Sequence, residues 1–180
     1  MARIKIYILA GCELQNDTEK CYSASELYNS NFFNLSKRYM KVLNNDNWLI
    51  LSDYHGLIWQ GAMIAPYSSN SMNRKERISR LENNLRKENI EKLLISVGVL
   101  SHDIINEELR KGKSSMSNVT FILIGDTPSL RQASELLSNV GAKIRMPMRN
   151  LNAIKQSLWL LNTAKTEAEL NIINGGESSS

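Results

Sequence analysis

Five consecutive positions, Ser52-Asp53-Tyr54-His55-Gly56, carry a hydroxyl, a carboxylate, a phenol and an imidazole ahead of a glycine. An imidazole with an ordinary pKa near ~6.5 can take or give a proton at neutral pH, which makes His55 the first candidate for acid–base work. The alternative is a histidine that hydrogen-bonds a neighbouring loop. Asp53 and Asp126 could form a carboxylate pair flanking a substrate, stabilising cationic sugar character or acting as nucleophile in N-glycosidic chemistry. Asp126 also suits a helix cap. Tyr54, Trp59 and Tyr67 surround the same stretch, as stacking faces for a nucleobase or as loop anchors. Cys12 could be a nucleophile if its thiol were activated, or an inert buried side chain. The hydroxyls of Ser23, Ser25, Tyr28 and Ser30 could bind phosphate, or cap and pack.

These groups need elements to position them. Leu49-Ile50-Leu51 is an apolar run that stops at Ser52, as a buried parallel strand does when it ends in a ligand-facing loop. Arg3 to Ala10, ended by Gly11, has the same character, and so do Leu93 to Val97, ended by Gly98, and Val119 to Ile124, ended by Gly125. Lys143 to Met146 is a short fifth strand. Between them, Leu27, Phe32, Leu35, Tyr39 and Leu43 recur at helical spacing, with Ser23 and Glu26 placed for a capping box. Asn73 to Asn89 reads as one charged helix with Ile78, Leu81 and Leu85 as its buried stripe. Further helices are expected over His102 to Lys111, from Pro128 behind Thr127 or Asp126, and through Leu151, Ile154, Leu158 and Leu161.

Strand and helix alternate about five times. This implies a single α/β domain over residues 1–168: a three-layer, Rossmann-like, mostly parallel sheet with helices on both faces, followed by a disordered tail over 169–180. In such a sheet the strand ends share one rim, which would gather Gly11-Cys12, Ser52 to Gly56, Gly98 and Gly125-Asp126-Thr127. Neither GxGxxG nor GxxxxGK[ST] occurs, so classical dinucleotide and P-loop sites are disfavoured.

The bulk composition is that of an ordinary globular protein, with 42% hydrophobic and 22% charged residues and a formal net charge of +4. No segment reaches the ~20 apolar residues of a membrane span, and two cysteines without metal-ligand spacing fit reduced thiols, so a cytoplasmic protein with no metal and no cofactor is expected. The six basic residues Arg74, Lys75, Arg77, Arg80, Arg86 and Lys87 could form a nucleic-acid face, or the solvated side of an ion-paired helix.

Cys12 after a first strand, Ala24-Ser25-Glu26-Leu27-Tyr28-Asn29-Ser30, Leu51-Ser52-Asp53-Tyr54-His55-Gly56-Leu57 and Pro66-Tyr67 together resemble an uncharacterised bacterial and phage family. Its members carry a cysteine loop, Ala-x-x-Leu-Tyr-x-Ser and Leu-Ser-Ala-x-His-Gly-Leu, and are often loosely labelled peroxide-stress YaaA-like. The resemblance covers roughly residues 4–160 and carries over Cys12, Tyr28, Ser30, Ser52, His55, Gly56, Pro66 and Tyr67. The chain departs from the pattern at Glu13-Leu14 and at Asp53, where a small residue is usual. More distantly, Ile6-Tyr7-Ile8-Leu9-Ala10-Gly11 is similar to the opening strand of nucleoside deoxyribosyltransferases.

The expectation is an enzyme acting on a nucleotide, nucleoside or nucleic-acid base by N-glycosidic cleavage or transfer. In it His55 serves as acid–base, Asp53 or Asp126 stabilises charge, and Tyr28, Tyr54 and Tyr67 frame the substrate. Gly11, Cys12, Ser30, Ser52, Gly56, Pro66, Gly98, Gly125 and Thr127 complete the expected site. The alternative is a non-catalytic nucleotide-sensing or DNA-binding module, or a phage or defence accessory protein. The sequence fixes neither substrate nor oligomeric state.

Overall fold

Alternate residues of the central strands point to opposite faces, and both faces are apolar. Ile6 and Ile8, Leu49 and Leu51, and Phe121 and Leu123 enter one core; Tyr7 and Leu9, Trp48 and Ile50, and Ile122 and Ile124 enter the other. A sheet buried on both sides needs near-continuous hydrophobic strands, which is what these runs supply. The computed structural model describes residues 3–12, 15–16, 20–68 and 72–176.

The sheet is built from β1 (Ile4–Ala10), β3 (Trp48–Ser52), β4 (Gly56–Trp59), β6 (Val119–Ile124) and β7 (Lys143–Arg145), in the order β4-β3-β1-β6-β7. β3, β1, β6 and β7 run parallel, and β4 is antiparallel to β3. A two-stranded ribbon pairs β2 (Tyr22–Ser23) with β5 (Met63–Ile64). On one face lie α3 (Arg74–Asn84), α4 (Lys87–Ser96), α5 (His102–Arg110) and α6 (Pro128–Asn139); on the other lie α1 (Ala24–Leu27), α2 (Asn31–Val42) and α7 (Ala153–Gly176). The fold is thus the expected single α/β domain with a mostly parallel five-stranded sheet. Of the expected tail, residues 177–180 lie outside the described residues, and α7 runs to Gly176.

Several elements differ from the sequence reading. Leu93 to Val97 is not a strand: Leu93 to Ser96 belong to α4, whose buried Ile90 and Leu94 are one turn apart, and Val97 is its C-cap. A five-residue apolar run does not distinguish a strand from a buried helical segment, and here the helix that begins at Lys87 continues through it. Gly98 therefore ends a helix, at φ +76°, and does not stand at the strand-end rim. The fifth strand is instead β4: the chain turns through Asp53 to His55 and pairs Gly56 back against Ser52.

Two expected helices are each divided. Leu85 and Arg86 separate α3 from α4. Tyr28 to Ser30 separate α1 from α2, because Tyr28 is extended and bridges to Gln15 while its ring turns into the core. Ser30 caps α2, accepting from the Phe33 N–H at 3.1 Å. Ser23 precedes α1 without a side-chain cap bond, so the expected capping box with Glu26 is absent; the box forms at Asn73 and Glu76, at the start of α3.

Candidate functional site

The turn that follows β3 is held by successive residues of α3. Arg77 approaches Asp53 at 4.0 Å, Arg80 donates to the Tyr54 carbonyl at 3.1 Å, and Asn84 donates to the His55 carbonyl at 3.2 Å. Steps of three and four residues put these side chains on one helix face, so helix and turn advance together. The Arg80 guanidinium also lies 5.0 Å from the centre of the Tyr54 ring, a cation–π distance. Gly56 is required where the turn closes: its φ is +77°, and a β-carbon there would overlap the Asn84 side chain.

Beside this turn is a cleft of about 770 Å³, the size of a pocket for a small organic ligand. Its floor is the carboxyl ends of β1 and β3, with Ala10 and the following Gly11 from one and Leu51 and Ser52 from the other. Arg74, Arg77, Ile78, Arg80 and Leu81 form the α3 wall, and Thr127, Pro128, Ser129 and Gln132 form the opposing wall at the start of α6. Asp53 stands between the walls, accepting the Ser129 hydroxyl at 2.7 Å and facing Arg77. The α6 start offers few amides to a ligand, since Pro128 has none and the Leu130 N–H is capped by the Thr127 hydroxyl at 3.2 Å. The cleft is therefore polarised, with three guanidinium groups on one wall and a carboxylate towards the other.

Behind the floor runs a chain of hydroxyls. The Ser52 and Tyr67 oxygens are 2.8 Å apart, as are those of Tyr67 and Tyr28. Ser52 Oγ also accepts the backbone N–H groups of Tyr54 and His55 at 3.2 and 3.0 Å, which fixes the shape of the turn. Burial raises the pKa of Tyr28 and Tyr67, so both remain phenols at neutral pH. The Tyr28 ring packs on Gly11, which leaves no room for a larger residue there.

His55 is turned away from the cleft. Its ring meets Tyr67 and Tyr54 edge-on at 5.2 and 4.9 Å, and its Nε2 is enclosed without a hydrogen-bond partner. Burial, reinforced by the charge of Arg80, lowers its pKa, so the imidazole is neutral at neutral pH. His55 is not among the residues that line the cleft.

Of the expected site residues, Gly11, Ser52, Asp53, Gly56 and Thr127 come together at the cleft. Tyr28, Tyr54 and Tyr67 support it from behind. Tyr54 and Tyr67 stack with ring centres 4.9 Å apart, and half-buried Cys12 packs in the same aromatic core. Pro66 stands next to Tyr67 but not on the cleft lining. Ser30 serves as the α2 cap. Gly125, at φ +120°, faces Leu130 and Phe32. Asp126 does not pair with Asp53: its carboxylate is clasped by Arg131 at 2.7 and 2.6 Å and by the Asn150 N–H at 2.8 Å. The Arg131 bonds, with help from that N–H, hold its pKa below the usual carboxylate value.

Arg74, Arg77 and Arg80 were legible in the sequence as basic residues of one helix, without a sign that they face inward to a cleft. Ser129 and Asn84 gave no signal at all, since their roles depend on partners 76 and 29 residues away, and nothing marked Gln132 as a residue of the cleft lining. Among the described residues, no helix is long and apolar enough to cross a membrane.

No curated protein and no solved structure matches the chain. Residues 6–162, most of the sequence and all of the cleft, match the Family of unknown function (DUF6884), and the chain belongs to that family.

Proposed function

We propose that the protein is an enzyme acting on a nucleotide-like compound in this cleft, by cleavage or transfer at an N-glycosidic bond. The observation that carries this reading is Asp53, the one carboxylate lining the cleft among the described residues, oriented by Ser129 and Arg77. In such a reaction the C–N bond breaks with its electron pair leaving on the base nitrogen, which gains a proton. The sugar carbon becomes cationic and is captured by water, which loses a proton, or by the nitrogen of an incoming base. A preoriented carboxylate stabilises that developing positive charge. His55 contributes by shaping the turn that carries Asp53, through its backbone contacts to Ser52 and Asn84. The similarity of Ile6 to Gly11 to the opening strand of nucleoside deoxyribosyltransferases supports a nucleoside-related ligand.

The test is release of free base from nucleosides, nucleoside 5′-monophosphates and oligonucleotides, followed by chromatography, with Asp53→Asn as control. Base release that Asp53→Asn abolishes supports the reading; undiminished release in that variant, or none from any substrate with the wild type, refutes it.

A second reading rests on the exposed Lys75, Arg86 and Lys87, which continue the basic surface of α3 into α4 outside the cleft. It makes the protein a non-catalytic DNA-binding module. Its signature is an affinity for DNA that falls steeply with salt and falls further when these three residues are neutralised.

A further inference from the structure

We infer that the α3 wall of the cleft is a phosphate subsite, with Arg74 as the residue that selects a 5′-phosphorylated nucleoside over the free nucleoside. This deepens the reading of the cleft as a nucleotide site and rests on it, but it does not depend on the glycosidic reaction.

The three arginines of the wall are not equivalent. Arg77 is turned to Asp53, and Arg80 is committed to the Tyr54 carbonyl and ring. Arg74 lies on the cleft one turn before Arg77, is exposed, and pairs with no carboxylate among the described residues. A guanidinium matches the geometry of a phosphate with two parallel hydrogen bonds, which an uncommitted arginine can form without first breaking an internal contact.

The opposing wall fixes the orientation of the ligand. Asp53 sits against Ser129 at the start of α6. Its carboxylate complements the positive end of the helix and disfavours a second anion there. The phosphate is thus directed to α3, while sugar hydroxyls, which are donors, are directed to Asp53. A compound with an anion at one end and hydroxyls about one sugar length away satisfies both walls; a free nucleoside leaves Arg74 unused.

Calorimetric titration with the four nucleoside 5′-monophosphates, the four nucleosides and inorganic pyrophosphate tests the assignment in the wild type and in Arg74→Gln. Arg74 is exposed, so the variant is expected to fold, which circular dichroism checks. The expected result is that at least one monophosphate binds the wild type more tightly than its nucleoside. Arg74→Gln then weakens that monophosphate and pyrophosphate by about tenfold and leaves the nucleoside unchanged. Equal affinity for nucleoside and monophosphate overturns the phosphate subsite and leaves the glycosidic reading standing. Normal monophosphate binding without base release does the reverse. An unchanged affinity in Arg74→Gln, or no binding of any monophosphate, overturns the subsite. It also falls if an oligonucleotide binds more tightly and loses as much affinity on Lys75→Gln and Lys87→Gln as on Arg74→Gln.

Discussion

Ser129 donates its hydroxyl to Asp53 across 2.7 Å, joining the first turn of α6 to the end of β3 over 76 residues of sequence. The bond is exposed, so its effect on stability is small, whereas it decides where Asp53, the one carboxylate of the cleft lining among the described residues, points. Ser129→Ala is expected to change the unfolding free energy by less than ~1 kcal/mol while lowering turnover in the base-release assay, with little change in KM. A loss confined to KM would make Ser129 a ligand contact and not a support of Asp53.

Gly56 and Asn84 define a second, stiffer relationship. A side chain at Gly56 meets two separate penalties, the positive φ and the overlap with the Asn84 amide. Gly56→Ala is expected to cost about 1–3 kcal/mol in urea unfolding, with a further loss of ligand binding because the Asp53 turn moves. Adding Asn84→Ala should restore part of the stability by removing the overlap with the amide group, while the 2.9 Å approach to the β-carbon of residue 84 and the backbone penalty stay. Full restoration would mean that neither of these carries a cost here.

The sheet was readable because its strands are buried on both faces and therefore hydrophobic without interruption, as in Val119 to Ile124. What misled was local ambiguity. Leu93 to Val97 carries no mark separating a buried strand from one helical turn and a half, and Gly98 terminates either. β4 was hidden because Gly56-Leu57-Ile58-Trp59 is a strand only by pairing with β3, a partner supplied by the tight turn at Asp53 to His55. For the site, residue types at strand ends pointed to Gly11, Ser52 and Asp53, which do meet at the cleft. They could not tell Asp53 from Asp126, since the difference lies in Arg131 and Asn150 capturing one and Ser129 the other. His55 stood out by type, yet side-chain direction at a turn is set by packing, here against Tyr54 and Tyr67.

The burial of His55 has a pH signature. Its pKa is lowered in the folded protein, so between its ordinary value near ~6.5 and the folded value the unfolded chain holds more protons. The neutral imidazole thus contributes stability in full above ~6.5, and the contribution is lost as pH falls through the folded value. The groups facing it are Tyr54, Tyr67 and Arg80, the last adding repulsion to the protonated form. His55→Gln is expected to flatten the dependence of urea-unfolding stability on pH between 7 and 5. A wild-type slope that survives unchanged in the variant would assign the effect to other groups.

The hydroxyl chain has a direction that mutation can read. Ser52 Oγ accepts two backbone N–H groups, which uses both of its lone pairs, so its own proton goes to Tyr67. Tyr67 then has its proton for Tyr28, whose oxygen accepts it deep in the core. Tyr67→Phe removes both links and strands the Ser52 proton, while Tyr28→Phe removes one link and strands the Tyr67 proton. Each stranded buried donor costs about 1–3 kcal/mol. Both variants are therefore expected to be less stable in urea unfolding, Tyr67→Phe more so because it loses two bonds. The double variant should fall short of the sum of the two, since the Tyr67–Tyr28 bond is counted in both singles. A loss for Tyr28→Phe below ~1 kcal/mol, the cost of a lost bond with no stranded donor, would reverse the direction assigned to the chain.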